Sequence, residues 1–114
     1  MEYAHAHALA EDIRATEEYK TYHGLKDIVN ADETTAALIR EYRRLQMTIQ
    51  VAVMSGKQPE AEDSQRFSAL TGLLYAKPEV SQFLVAEMRL QQMLADILKI
   101  VTEAAGIELN LPGT

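Results

Sequence analysis

The side chains able to do chemistry in this chain are few in kind. Histidine occurs only at positions 5, 7 and 23. His5 and His7 stand two residues apart, and on a helix such a pair diverges by about 200°. A regular helix therefore cannot aim both rings at one ion. They are read as solvent-facing or partly packed histidines. Carboxylates are plentiful, but the Glu-x-x-His spacing that a di-iron helical bundle needs is absent. Glu17 and Glu18 are read as solvated charges at a helix start. The five glycines are scattered, and no G-x-S-x-G elbow, P-loop or glycine-rich phosphate cradle is present. Cysteine is absent. That removes disulfides, thiol catalysis, thiolate zinc sites and cysteine-held iron–sulfur clusters from within this chain. No catalytic, cofactor-binding or metal-binding residue is expected.

What remains is charge and apolar surface. Arg40, Arg43 and Arg44 form the sole basic cluster, with Arg40 and Arg44 as i,i+4 neighbours on one face. The net charge of −6 argues against general nucleic-acid binding, which needs clustered cations to displace counterions. It argues equally against docking on anionic membranes. No run of eighteen apolar residues exists to span a bilayer. The first residues carry no basic start followed by an apolar stretch, so a cytoplasmic protein is expected.

The elements that must position these groups are helical. From Val80 to Ala105 apolar residues recur at Phe83, Ala86, Leu90, Met93, Ile97, Ile100 and Ala104, alternating three and four apart. Leu84, Leu94, Leu98 and Val101 widen that stripe. Lys77 or Ser81 stands near the start of this helix, beside Pro78, and Gly106 is its stop. Residues 3 to 29 read as two helical pieces broken near Ala15–Thr16. The second has Tyr19, Tyr22, Leu25, Ile28 and Val29 on its apolar side and Gly24 in its interior. Asn30, with Glu33 three residues on, fits a capping box; Asp32 fits the cap equally. The helix that follows runs to about Ser55, with a seam of Leu38, Tyr42, Leu45, Ile49 and Ala52 broadened by Ile39 and Val53. Gly56 closes it. A shorter helix then runs to about Ala76, with Phe67, Leu70, Leu73 and Leu74 on its apolar side. Met47, Met54, Met88 and Met93 fall near the stripes and are read mainly as core filler, with a pliable binding surface as the alternative.

The fold expected is all-α: an antiparallel helical bundle of four to five helices, two of them long, in one domain over 1–114 with an irregular tail at 106–114. A chain of this size buries roughly 65% of its unfolded surface. Helices of about 22 and 25 residues span roughly 33 to 38 Å, more than a compact monomer of radius of gyration about 13 Å requires. Oligomerisation is expected, a homodimer first. The expected interface residues are Tyr42, Arg43, Phe83, Glu87, Leu90, Leu94, Ile97 and Val101. Glu87, an acid beside the seam, is expected to meet Arg43.

Several stretches together resemble one family. These are Thr16-Glu17-Glu18-Tyr19-Lys20, Val29-Asn30-Ala31-Asp32-Glu33, Tyr42-Arg43 with Gln46 and Gln50, Met54-Ser55-Gly56, and the run from Ser81 to Leu90 continuing through Asp96-Ile97 and Lys99-Ile100. They are similar to the YlbF/YmcA/YheA family of small helical bacterial proteins, nearest its YheA-like branch, over about residues 3 to 101. The resemblance implies an all-helical, oligomeric, cytoplasmic protein with a regulatory rather than enzymatic role. Some members assist competence, sporulation and biofilm formation as a complex that binds iron–sulfur clusters and acts with RNase Y. Those members carry cysteines and this chain has none, so cluster binding is not carried over. Two readings result. The first is a non-catalytic homo-oligomer acting through protein–protein contacts. The second is an accessory factor of RNA processing or decay, working through a shared partner and the Arg40/Arg43/Arg44 face.

Overall fold

The computed structural model describes residues 1–108. It contains five α-helices in chain order: α1 Ala4–Arg14, α2 Glu17–Asn30, α3 Glu33–Met54, α4 Ala61–Tyr75 and α5 Pro78–Ala105. No strand occurs among the described residues. The all-α expectation holds, with five helices rather than four. The part of the expected tail at 109–114 lies outside the described residues.

The helix ends follow from their capping residues. The Thr16 hydroxyl donates to the Ile13 carbonyl at 2.6 Å and accepts from the Tyr19 amide at 3.2 Å. One side chain thus closes α1 and opens α2, which explains the break read at Ala15–Thr16. Of the two candidate caps near residue 30, Asp32 caps α3. Its carboxylate accepts from the amides of Thr34 at 3.1 Å and Thr35 at 3.4 Å. Asn30 instead ends α2. An aspartate adds its negative charge to a helix N-terminus, which an asparagine does not. Gly56 and Gly106 both have positive φ, 75° and 72°. Beyond α3 the Gly56 amide bonds to the Val53 carbonyl at 3.1 Å and the Lys57 amide to that of Ala52 at 2.9 Å. That is the Schellman pattern, which satisfies the last carbonyls of a helix. The last helix begins earlier than the apolar pattern alone indicated. Pro78 is its first residue, a place where the missing N–H costs nothing.

The chain divides into two compact units, residues 24–83 and residues 1–23 with those from 84 onward. In the first unit α3 and α4 form a hairpin. Glu41 meets Arg66, and one turn and a half earlier along α3 Thr35 meets Lys77 beyond the end of α4. The partner numbers rise as the α3 numbers fall, so the two helices run antiparallel. The buried side chains of this unit are Val29, Thr35, Ile39, Leu45, Leu70, Leu74, Val80 and Phe83. Each fully buried leucine contributes roughly 1.5–3 kcal/mol of hydrophobic stabilisation. Tyr42 stacks on Phe67 with ring centroids 5.0 Å apart and planes 15° from parallel.

In the second unit Leu84 and Ala86 are buried, and Leu90, Met93, Ile97 and Leu98 are half-buried. His23 packs beside two tyrosines, 4.2 Å from the Tyr19 centroid and 5.0 Å from that of Tyr22. His5 and His7 are exposed on α1.

Several expectations about side-chain placement are corrected; Val53 and Ile100, placed on the stripes of α3 and α5, are 60% and 68% exposed. Leu73, placed on the apolar side of α4, is 56% exposed, whereas Leu70 is 0% exposed. Ile28, placed on the apolar side of α2, is exposed while its neighbour Val29 is buried. Four apolar residues within eight span more of a helix than one packed neighbour covers, so the edge of each stripe stays open. Met47, Met54 and Met88 are exposed rather than core filler. Only Met93 is half-buried.

Candidate protein-contact surface

Among the described residues no group of three His, Asp or Glu side chains could hold a metal ion, and no helix is long and apolar enough to cross a membrane. The polar side chains instead serve structure. Glu41 on α3 and Arg66 on α4 make a two-point contact, with Nε and Nη2 of the arginine donating to the two carboxylate oxygens at 2.9 Å each. The hydrogen-bonded guanidinium holds the Glu41 carboxyl below the usual carboxylate range, against a smaller opposing effect of desolvation. The same contact raises the Arg66 value. A planar fork matched to a carboxylate fixes geometry as well as charge. It ties α3 to α4 at one point along the hairpin.

The residues expected at an interface fall in two places. Tyr42, Arg43 and Phe83 belong to the unit of residues 24–83. Tyr42 is half-buried on Phe67, and Phe83 is buried. The Arg43 guanidinium carbon lies 5.9 Å from the Phe83 ring centroid, within reach of a cation–π attraction. Glu87, Leu90, Leu94, Ile97 and Val101 lie on α5 in the other unit. Glu87, Leu90 and Ile97 are half-buried, whereas Leu94 and Val101 are 45% and 54% exposed. Leu90, Leu94, Ile97 and Val101 follow one another at four, three and four residues, so they form one stripe along the helix.

Sequence reasoning passed over a second open stripe. Met47, Val51 and Met54 on α3 are all exposed, Met54 by 78%. Their spacing of four and three was visible in the sequence. They lie on the side of the helix opposite Tyr42 and Ile49, and that opposition was the signal available.

The fold is that of a small all-α protein of five consecutive helices. The chain belongs to the family described as control of competence regulator ComK, YlbF/YmcA, which it matches over residues 3–105. Among its relatives, the UPF0342 protein of Symbiobacterium thermophilum is 29% identical over 94% of this chain and 96% of its own length. That of Desulfitobacterium hafniense is 33% identical, covering 90% of this chain and 82% of its own. Of solved structures, a protein of unknown function (DUF964) from Bacillus stearothermophilus is similar in fold, with a TM-score of 0.72, 18% identity and 91% of both chains covered. A chain of the Bacillus subtilis complex of RicA with RicF is similar with a TM-score of 0.59, 22% identity and 90% and 91% coverage. At these identities the two structures speak to the fold.

Proposed function

We propose that this chain is a non-catalytic helical protein that works as one domain through protein–protein contacts, in a regulatory or adaptor role, and that it self-associates, with a homodimer as the basic state. The observation that carries this reading is the open apolar stripe of α5. Leu94 and Val101 stand exposed two turns apart, flanked by half-buried Leu90 and Ile97. Contiguous apolar surface of this kind is costly in water and marks contact sites. The family's description as a competence regulator and the assembly of RicA with RicF support the same reading.

Leu94 and Val101 form the centre of the proposed contact, with Glu87 at its edge. Size-exclusion chromatography with light scattering tests it. The wild type runs at twice the protomer mass at micromolar concentration, and Leu94→Glu with Val101→Glu reduces it to a monomer. A wild type that is strictly monomeric overturns self-association. Unchanged stability and oligomeric state in Glu87→Ala removes Glu87 from the contact.

A second reading is an accessory role in RNA processing. Its support is the pair of exposed arginines at 40 and 44. Salt-dependent RNA binding that is lost in Arg40→Ala with Arg44→Ala is its expected signature. Absence of binding at low salt removes its direct form and leaves only a role through a shared partner.

A further inference from the structure

The helix α3 has two opposite sides. Thr35, Ile39 and Leu45 are buried, with Leu38, Tyr42 and Ile49 half-buried beside them. On the other side Arg40, Arg44, Met47, Val51 and Met54 recur at four, three, four and three residues, and all five are exposed. Met47 and Met54 lie about two turns apart there, with Val51 between them. On α5 Met88 lies about half a turn round the helix from the stripe of Leu90, Leu94, Ile97 and Val101, and so outside the contact proposed above. Met47, Met54 and Met88 are 57%, 78% and 60% exposed. Met93 is half-buried, and Met1, at the start of the chain, is exposed.

The chain has five methionines and no cysteine, so thioethers are its only sulfur groups open to a mild two-electron oxidant. With hydrogen peroxide the sulfur lone pair attacks one oxygen. An S–O bond forms, the O–O bond breaks, and the second oxygen leaves as hydroxide. That hydroxide takes the proton from the oxygen now on sulfur and departs as water. The sulfur is oxidised to the sulfoxide and the peroxide is reduced. The product is polar where the thioether was apolar. At a packed site the new oxygen needs a buried partner, whereas at an open site water supplies one.

We propose that Met47, Met54 and Met88 are sites of reversible oxidation to the sulfoxide by peroxide in the folded protein, that Met93 is spared, and that the change at Met47 and Met54 turns the apolar end of the open side of α3 polar without unfolding the hairpin. Access carries the selectivity. The three open sulfurs meet the oxidant directly, and Met93 meets it only past its packed neighbours. The fold survives because Met47 and Met54 stand opposite buried Leu45 and half-buried Ile49. After the change Val51 alone remains apolar between two sulfoxides. No partner is needed for this chemistry. The same openness admits the reductases that return a sulfoxide to the thioether.

Mild hydrogen peroxide treatment of the full chain, followed by peptide mass spectrometry, tests this. In the native protein Met47, Met54 and Met88 react within about threefold of Met1, and Met93 reacts at least about threefold more slowly than any of them. In urea all five rates converge. The oxidised protein keeps its helical circular dichroism and its urea midpoint, and it elutes earlier from a hydrophobic-interaction column. Met47→Leu with Met54→Leu loses most of that shift. Met47→Gln with Met54→Gln imitates the polar product without peroxide, and it keeps the wild-type urea midpoint. Methionine sulfoxide reductases A and B together restore the unmodified mass. Any one of five results overturns the proposal. These are protection of Met47 or Met54 as strong as that of Met93, selectivity that persists in urea, and a fall in urea midpoint on oxidation or in the glutamine variant. The others are an elution shift that the leucine variant retains, and sulfoxides that the reductases leave in place.

Discussion

The Lys77 ammonium donates to the Thr35 hydroxyl at 2.9 Å, across 42 residues of chain. The same hydroxyl donates to the Asp32 carboxylate at 3.0 Å. Thr35 is buried, so its oxygen has no water to fall back on. One hydroxyl thus links the start of α3 to the corner between α4 and α5. Thr35→Val keeps the shape and removes both bonds, taking this partner from the half-buried Lys77 while the exposed Asp32 keeps the amides of Thr34 and Thr35. The expected loss is about 1–3 kcal/mol of unfolding free energy, read by urea titration. Combining it with Lys77→Met should lose less than the sum of the two single changes, since they remove one shared bond.

Acid should act on the same corner. The Thr35 hydroxyl, then the amide of Thr35, hold the Asp32 carboxyl below its usual value, with the Thr34 amide and Lys77 adding to the effect and desolvation opposing it. A folded value below the unfolded one means that the contribution is whole above the ordinary aspartate value of about 4. It is lost as pH falls through the lower folded value. Asp32→Asn keeps a capping oxygen and removes the titration. The stability difference between wild type and Asp32→Asn should therefore be constant near neutrality and shrink below about pH 4. A difference that persists unchanged to pH 2 contradicts this account.

Two leucines of α4 separate burial from mere hydrophobicity. Leu70 is fully buried and Leu73 stands open. Leu70→Ala leaves a cavity in the α3–α4 hairpin and should cost about 2–5 kcal/mol. Leu73→Ala should stay within about 0.5 kcal/mol of wild type, as surface changes do. Thermal or chemical denaturation of the two variants side by side reads the contrast.

Glycine offers a pair of opposite sign. Gly24 lies inside α2 with open space where a Cβ would stand. Gly24→Ala should stabilise the protein by about 0.5–1 kcal/mol by restricting the unfolded chain. Gly56 has φ of 75°, where an L side chain crowds the following carbonyl. Gly56→Ala should destabilise by about 1–2 kcal/mol, although its Cβ would also meet open space.

The helices were legible because their signals are local. Apolar spacing of three and four, a threonine or aspartate before a helix and a glycine after one act within a few residues, and all five helices carry at least one of them. Side-chain pairing was not legible. Nothing near Thr35 announces Lys77, and nothing near Glu41 announces Arg66, because both contacts exist only once α3 and α4 lie side by side. Exposure was legible for only part of the expected contact set. The α5 stripe at Leu94 and Val101 was marked as an interface and is open, while Phe83 in the same set is buried within the protomer. A stripe that serves the interior and one that serves a partner are written in the same residue types. For the same reason Met47 and Met54 read mainly as filler, with a pliable surface as the alternative, and their position opposite Tyr42 is the clue that separates the two.

The opposition of the two sides of α3 has a consequence for how such a protein can diverge. Arg40, Arg44, Met47, Val51 and Met54 are exposed, whereas Ile39 and Leu45 are buried. The residues that this helix leaves open and those that pack it are therefore inherited on separate sets of codons. A lineage can rewrite the first set while the second holds the scaffold constant.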